Sequence, residues 1–213
     1  LLHALAAEDA GTRQRAVQAL AQVGPAVTPT LIRLLADPQI TSSDKVAAIY
    51  ALTEIGQPLD LVLSSLTAAA QDAHSEPTVL SAIAHGLARL GPGAAPALAA
   101  LHNMVSGQDP QVRADAAAAL AAVAPGSPAV LATLLNLLRT DDHAAVQAAV
   151  ASGLGSMGPV AEPAVPDLLA ALQNPDPAIS GNAAAALAHI APSAAIAQAV
   201  TALLRQEEQT AVD

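Results

Sequence analysis

Few residues in this chain are of a type and spacing that could do chemistry. Asp141, Asp142 and His143 stand together, and two carboxylates beside an imidazole can share a divalent cation. His74, Ser75 and Glu76 carry the base, hydroxyl and carboxylate of a broken nucleophilic set. The run GLGSMG at 153–158 has the glycines of a dinucleotide loop in the wrong places. Each has a competing structural role. Both polar triplets fall in a turn before a helical pattern, where acidic and hydroxyl groups cap free amides and meet the positive end of the helix dipole. Gly153 and Gly158 occupy columns otherwise held by Ala or Gly, which tight helix packing and a helix C-terminus explain. His-Glu-x-x-His, Gly-x-Ser-x-Gly and P-loop motifs do not occur, and without Cys there is no thiolate nucleophile or ligand. The expectation is no catalytic, cofactor-binding or metal-binding residue, and no enzyme.

The elements that would position such groups come from a repeat. Leu20, Leu52, Leu87, Leu120, Leu154 and Leu187 are each followed three residues later by Val23, Ile55, Leu90, Val123, Met157 and Ile190, then by a small residue. The small residues are Gly24, Gly56, Gly91, Ala124, Gly158 and Ala191, spaced by 32, 35, 33, 34 and 33. A period held along the whole chain predicts one domain over 1–213, in which each unit buries its apolar face by stacking on neighbours.

Within a unit, DPQVRADAAAALAAVAP shows how a helix is made. Asp109 caps, Pro110 sits in the first turn, and Val112, Ala116, Leu120 and Val123 form a stripe that a small residue and Pro bring to an end. Another helix follows, as in APALAALHNMV and EPAVPDLLAAL. First helices are predicted near 1–8, 26–36, 59–72, 93–106, 127–139, 160–173 and 194–206. Second helices are predicted near 10–23, 42–55, 77–90, 110–123, 144–157 and 177–190.

Composition narrows the function classes. Apolar residues make up 53% of the chain, yet Tyr50 is the only aromatic, so the core must be Leu, Val and Ile against Ala, with no cage for a bulky cofactor. A formal charge of −10 repels a phosphate backbone and argues against nucleic acid. The uncharged stretches 116–138 and 178–204 are long enough to cross a bilayer, but Pro, Gly, Ser, Asn and His interrupt them, so no membrane insertion is expected. With no initiator Met and no basic leader, the chain is expected to be a segment of a longer one. A Cys-free chain suits either redox environment and leaves its localisation open.

The unit LHNMVSGQDPQVRADAAAALAAVAPGSPAVLATLL resembles the HEAT repeat, a Leu-rich helix, an Asp-containing turn, Val-Arg, then Ala and Leu on a second helix. LLHALAAEDAGTRQRAVQALAQVGP is similar. The resemblance implies an all-α, right-handed solenoid of about six antiparallel helix pairs. It also implies a ladder between a turn Asp and the Arg after Val. Here the Asp column reads Asp9, Thr41, Glu76, Asp109, His143 and Asp176, and the Arg column Arg13, Lys45, Leu80, Arg113, Gln147 and Ser180. Only the first and fourth repeats keep both, so a continuous ladder is not expected.

In solenoids of this kind the second helices line a concave side that partners meet. With the Leu stripe buried, the outward columns are Gln18, Tyr50, His85, Ala118, Ser152 and Ala185, and Gln22, Glu54, Arg89, Ala122, Ser156 and His189. The first three repeats therefore offer the polar and aromatic groups, and the last three mainly Ala and Ser. The expectation is a non-catalytic scaffold for a protein partner bound through Gln18, Gln22, Tyr50, Glu54, His85 and Arg89, with Tyr50 central. The alternative is an enzyme or small-ligand binder resembling bilin lyases or alkylbase glycosylases, which use a helical-repeat groove. One Tyr and eight scattered cations give neither signature.

Overall fold

A computed structural model describes residues 10–72 and 74–190, without the side chains of 10, 13 and 14. Among them every regular element is helical, and the chain is an all-α solenoid of stacked helix pairs. The helices predicted at 1–8 and 194–206, together with Asp9, Arg13 and Ala191, lie outside this description.

The contacts cluster into two units, Leu1–Ala119 and Leu120–Asp213. The first contains α1 (Ala10–Val23), α2 (Thr28–Ala36), α3 (Ser42–Ile55), α4 (Leu59–Gln71), α5 (Pro77–Leu90), α6 (Leu98–Met104) and most of α7 (Pro110–Val123). In it α3 packs between α1 and α5 while α2 backs α3. The second contains the end of α7, then α8 (Pro128–Thr140), α9 (Ala144–Ser156), α10 (Val165–Ala171) and α11 (Pro177–Ile190). Its principal contact is α9 on α11, with α8 against α9 and α10 against α11.

The six Leu of the repeat column are the spine, none more than 2% exposed. Each contributes about 1.5–3 kcal/mol by leaving water. The column three residues on is buried at Val123, Met157 and Ile190 but half exposed at Val23.

Second helices begin and end where the spacing puts them, within a residue. Their ends have a common cause: Gly24, Gly56, Gly91 and Gly158 all have positive φ, between 57° and 77°, a conformation that costs a side-chain-bearing residue. Ala124 cannot turn that way cheaply, and there the chain runs through Pro125 and Gly126 to Ser127, whose hydroxyl caps α8.

Two of the described first helices start within a residue of expectation, at Leu59 and Pro128, and the other three differ. Gly24–Val27, Gly91–Ala97 and Gly158–Ala164 are 3₁₀ turns, leaving α6 and α10 with 7 residues each. Prolines spaced by four are the reason: Pro96 after Pro92 and Pro163 after Pro159 lack the N–H an α-helix needs, and their rings crowd the carbonyl four residues back. The same break interrupts Arg15–Ala36, a stretch long and apolar enough by composition to cross a membrane. Gly24 and Pro25 divide it into two helices, each shorter than the ~20 residues a span requires.

Candidate functional site

The turns before second helices bind themselves. Asp109 Oδ1 accepts from the backbone N–H of Gln111 (2.9 Å) and Val112 (3.0 Å), a true helix cap. Asp141 Oδ1 accepts from His143 N at 3.0 Å, and His143 Nδ1 lies 2.8 Å from Asp142 Oδ1. That hydrogen bond is the main reason Asp142 sits below the usual carboxylate range, with a backbone hydrogen bond adding to it and Asp141 opposing. Ligand atoms of the three lie within 4.8 Å of one another, close enough to share a cation. The hydrogen bonds are those of a polar turn at the surface, and His143 precedes α9 without a side-chain cap. Ser75 Oγ donates to Ala69 O at 2.6 Å, so its proton is committed to a carbonyl and not to His74.

Three residues of the Arg column hydrogen-bond to the turn that precedes their own helix. Arg113 donates to Gly107 O (3.2 Å) and Gln108 O (2.8 Å), Gln147 donates to Asp141 O (2.8 Å), and Ser180 to Asp176 O (3.2 Å). Long polar side chains in this column close the preceding turn, which is why Gln can stand for Arg.

The two outward columns are solvent-facing at every position except Ala122, which is half-buried. Within the first unit the structure gathers four of the six candidates. Gln18, Tyr50, Glu54 and Arg89 line one groove of about 710 Å³. Its floor is Val17, Val46 and Ala47, and its far rim carries the hydroxyls of Ser42, Ser43 and Thr78. The stripe Ser42, Ser43, Val46, Ala47, Tyr50 and Glu54 runs the length of α3, flanked by α1 and α5. Arg89 forms an ion pair with Glu54, joining α5 to α3 at one end. Tyr50 is 37% exposed, enough to present a ring face while the backbone carbonyl behind it accepts from Thr53 Oγ1. Gln22 is exposed but outside the groove. His85 is also outside it; its Nε2 lies 3.3 Å from Asp115 Oδ1.

Asp115 is the polar residue that sequence reasoning missed. It is 8% exposed, accepts from Gln111 Nε2 at 2.9 Å through Oδ1, and its Oδ2 is buried without a partner. The signal was present as one carboxylate inside the Ala run of α7, four residues after Gln111. The Arg139–Asp167 pair on α8 and α10 also went unread. Two hydrogen bonds of 2.9 and 2.7 Å join them across 28 residues. They hold the Asp167 carboxyl below its usual range and raise the Arg139 guanidinium.

A family model described as HEAT repeats matches residues 63–155 and 131–212, together more than half of the chain. No curated protein matches it in sequence. Two crystal structures, each described as that of an engineered protein, are similar in fold. One is 21% identical with a TM-score of 0.56, over 89% of this chain and 94% of the other. The second is 22% identical with a TM-score of 0.53, over 95% of this chain and 60% of the other. At these identities the likeness concerns fold alone.

Proposed function

The chain belongs to the HEAT-repeat family, and from that premise we propose that it is a non-catalytic scaffold whose first unit holds a protein partner on the face of α1, α3 and α5. One observation carries the reading: the only aromatic residue of the chain, Tyr50, lies partly exposed in a groove lined with hydrogen-bonding groups from three successive second helices. A ring with apolar surface, a hydroxyl and little conformational freedom is the side chain most often found at interface hot spots. Rigid stacking of the repeats holds the surrounding donors and acceptors in place, so a partner meets a preorganised surface and little ordering entropy is lost on binding. Among the described residues, the hydroxyls of the groove lie beside apolar side chains, the Gln18 amide and the Glu54–Arg89 ion pair.

The test uses the full chain as bait in native extract, beside a variant with Gln18, Gln22, Tyr50, Glu54, His85 and Arg89 all changed to alanine. Circular dichroism confirms the fold of the variant. A protein retained by the parent and lost by the folded variant is the expected result. Equal retention by both would remove this face from the function.

A further inference from the structure

The geometry points to a metal site that joins the third and fourth repeats: His85 of α5 and Asp115 of α7 together bind a divalent transition ion of the zinc class. Asp115 stands five residues before the buried Leu120, a place held in the other repeats by Arg15, Ala47, Ala82, Ala149 and Asn182. Alanine serves at three of these places, so stacking the helices does not itself require a carboxylate. Asp115 is nevertheless 8% exposed, and its Oδ2 is buried without a hydrogen-bond partner. A buried carboxylate in that state is costly unless a cation offsets its charge.

Distance separates two ligands of one ion from a direct hydrogen bond. His85 Nε2 stands 3.3 Å from Asp115 Oδ1. Hydrogen bonds between charged partners are shorter, about 2.7–2.9 Å, and the ones in this chain comply: Arg139 to Asp167 at 2.9 and 2.7 Å, His143 to Asp142 at 2.8 Å. Two atoms each about 2.0–2.1 Å from a tetrahedral zinc ion lie about 3.3–3.4 Å apart. The pair already has that separation, so an ion enters without moving either helix.

The surroundings fit a ligand pair as well. Gln111, one turn earlier on α7, donates from Nε2 to Asp115 Oδ1 at 2.9 Å. It orients the carboxylate as outer-shell partners of metal ligands do. Carboxylate charge is shared by both oxygens, so an ion on Oδ1 also offsets Oδ2. The His85 side chain is half exposed, which leaves the outer side of the site open to the waters that complete the coordination shell. An imidazole nitrogen favours zinc and its neighbours over calcium and magnesium, which take oxygen ligands. Such an ion ties α5 to α7 and stabilises the folded chain, because only the fold brings its two ligands together.

The experiment is zinc titration of the tag-free full chain after chelator treatment, followed by calorimetry, thermal unfolding and hydrogen exchange. His85→Gln and Asp115→Asn variants are compared with it, and His143→Gln tests the polar turn at 141–143; circular dichroism checks each fold. Zinc should raise the unfolding midpoint of the parent and slow exchange in α5 and α7. Either His85→Gln or Asp115→Asn should weaken that binding about tenfold or more and abolish both effects, whereas His143→Gln should leave them intact. Calcium should produce neither. The site is overturned if zinc leaves α5 and α7 unprotected, or if that protection survives His85→Gln or Asp115→Asn. Loss of the response in His143→Gln alone would place the ion in the turn and overturn it too, and an equal response to calcium would overturn the assignment to a transition ion.

Discussion

Asp167 illustrates what a single side chain contributes here. Arg139 donates two hydrogen bonds to its carboxylate, and its folded-state pKa lies below the ordinary value of about 3.9. A depressed carboxyl stabilises the fold above its unfolded pKa, and the contribution is lost as pH falls through the folded one. Asp167→Asn should therefore lower the urea midpoint at about pH 7, and by progressively less as the pH falls below the ordinary carboxylate range; a shift independent of pH would assign Asp167 to packing. Neither partner announces the other in sequence, because the pair joins first helices of successive repeats, while the legible periodicity belongs to the second helices. Thr28 is similar: fully buried, it donates to Gln57 O at 2.8 Å across 29 residues. The outward columns were legible because a buried stripe fixes its opposite face. The groove was not, because its floor and hydroxyl rim come from positions one and two turns before those columns on the same faces, such as Val46, four residues before Tyr50, and Thr78, seven before His85.

At the scale of elements, the approach of second helices is set by glycine. A β-carbon added at Gly86 would lie 2.6 Å from Thr53 Cγ2, and one at Gly155 would lie 2.8 Å from Ala186 Cα. Both contacts are too close, but one neighbour is a methyl group and the other is backbone. Gly86→Ala and Gly155→Ala should each destabilise by about 1–3 kcal/mol. Thr53→Ala should restore most of the loss in the first, whereas Ala186→Gly should restore little in the second. Urea unfolding of the double variants checks this, and equal rescue in both would contradict the steric account. Sequence placed the second helices within a residue because Leu spacing, a first-turn Pro or polar cap and a terminal Gly agree. It misjudged the entries to the first helices after Gly24, Gly91 and Gly158 because a proline is a good first-turn residue singly, while two spaced by four enforce 3₁₀ geometry. Gly155 passed unread beside Gly153 and Gly158, since nothing along one chain shows which glycine of a cluster faces a neighbouring backbone.

For the whole molecule, linear stacking means that each repeat depends on the repeats beside it. Loosening one joint should be felt locally. Hydrogen exchange on Gly86→Ala should show protection lost in α3 and α5 and kept in α9 and α11, with the reverse for Gly155→Ala. Uniform loss throughout either variant would mean that the chain opens as one body. The contacts at Gly86 and Gly155 also bear on how such a chain is inherited. Both join the position just after the buried Leu in one repeat to the position just before it in the next: Thr53 with Gly86, and Gly155 with Ala186. Thr53 accepts a glycine and would collide with the Ala119 that the following repeat carries at the same place. A gene that lost its third unit, or that copied its fourth behind its second, would encode modules of unaltered pattern that seat less well on one another, by about the 1–3 kcal/mol expected of Gly86→Ala. The repeats look like interchangeable copies, but the joints record their order.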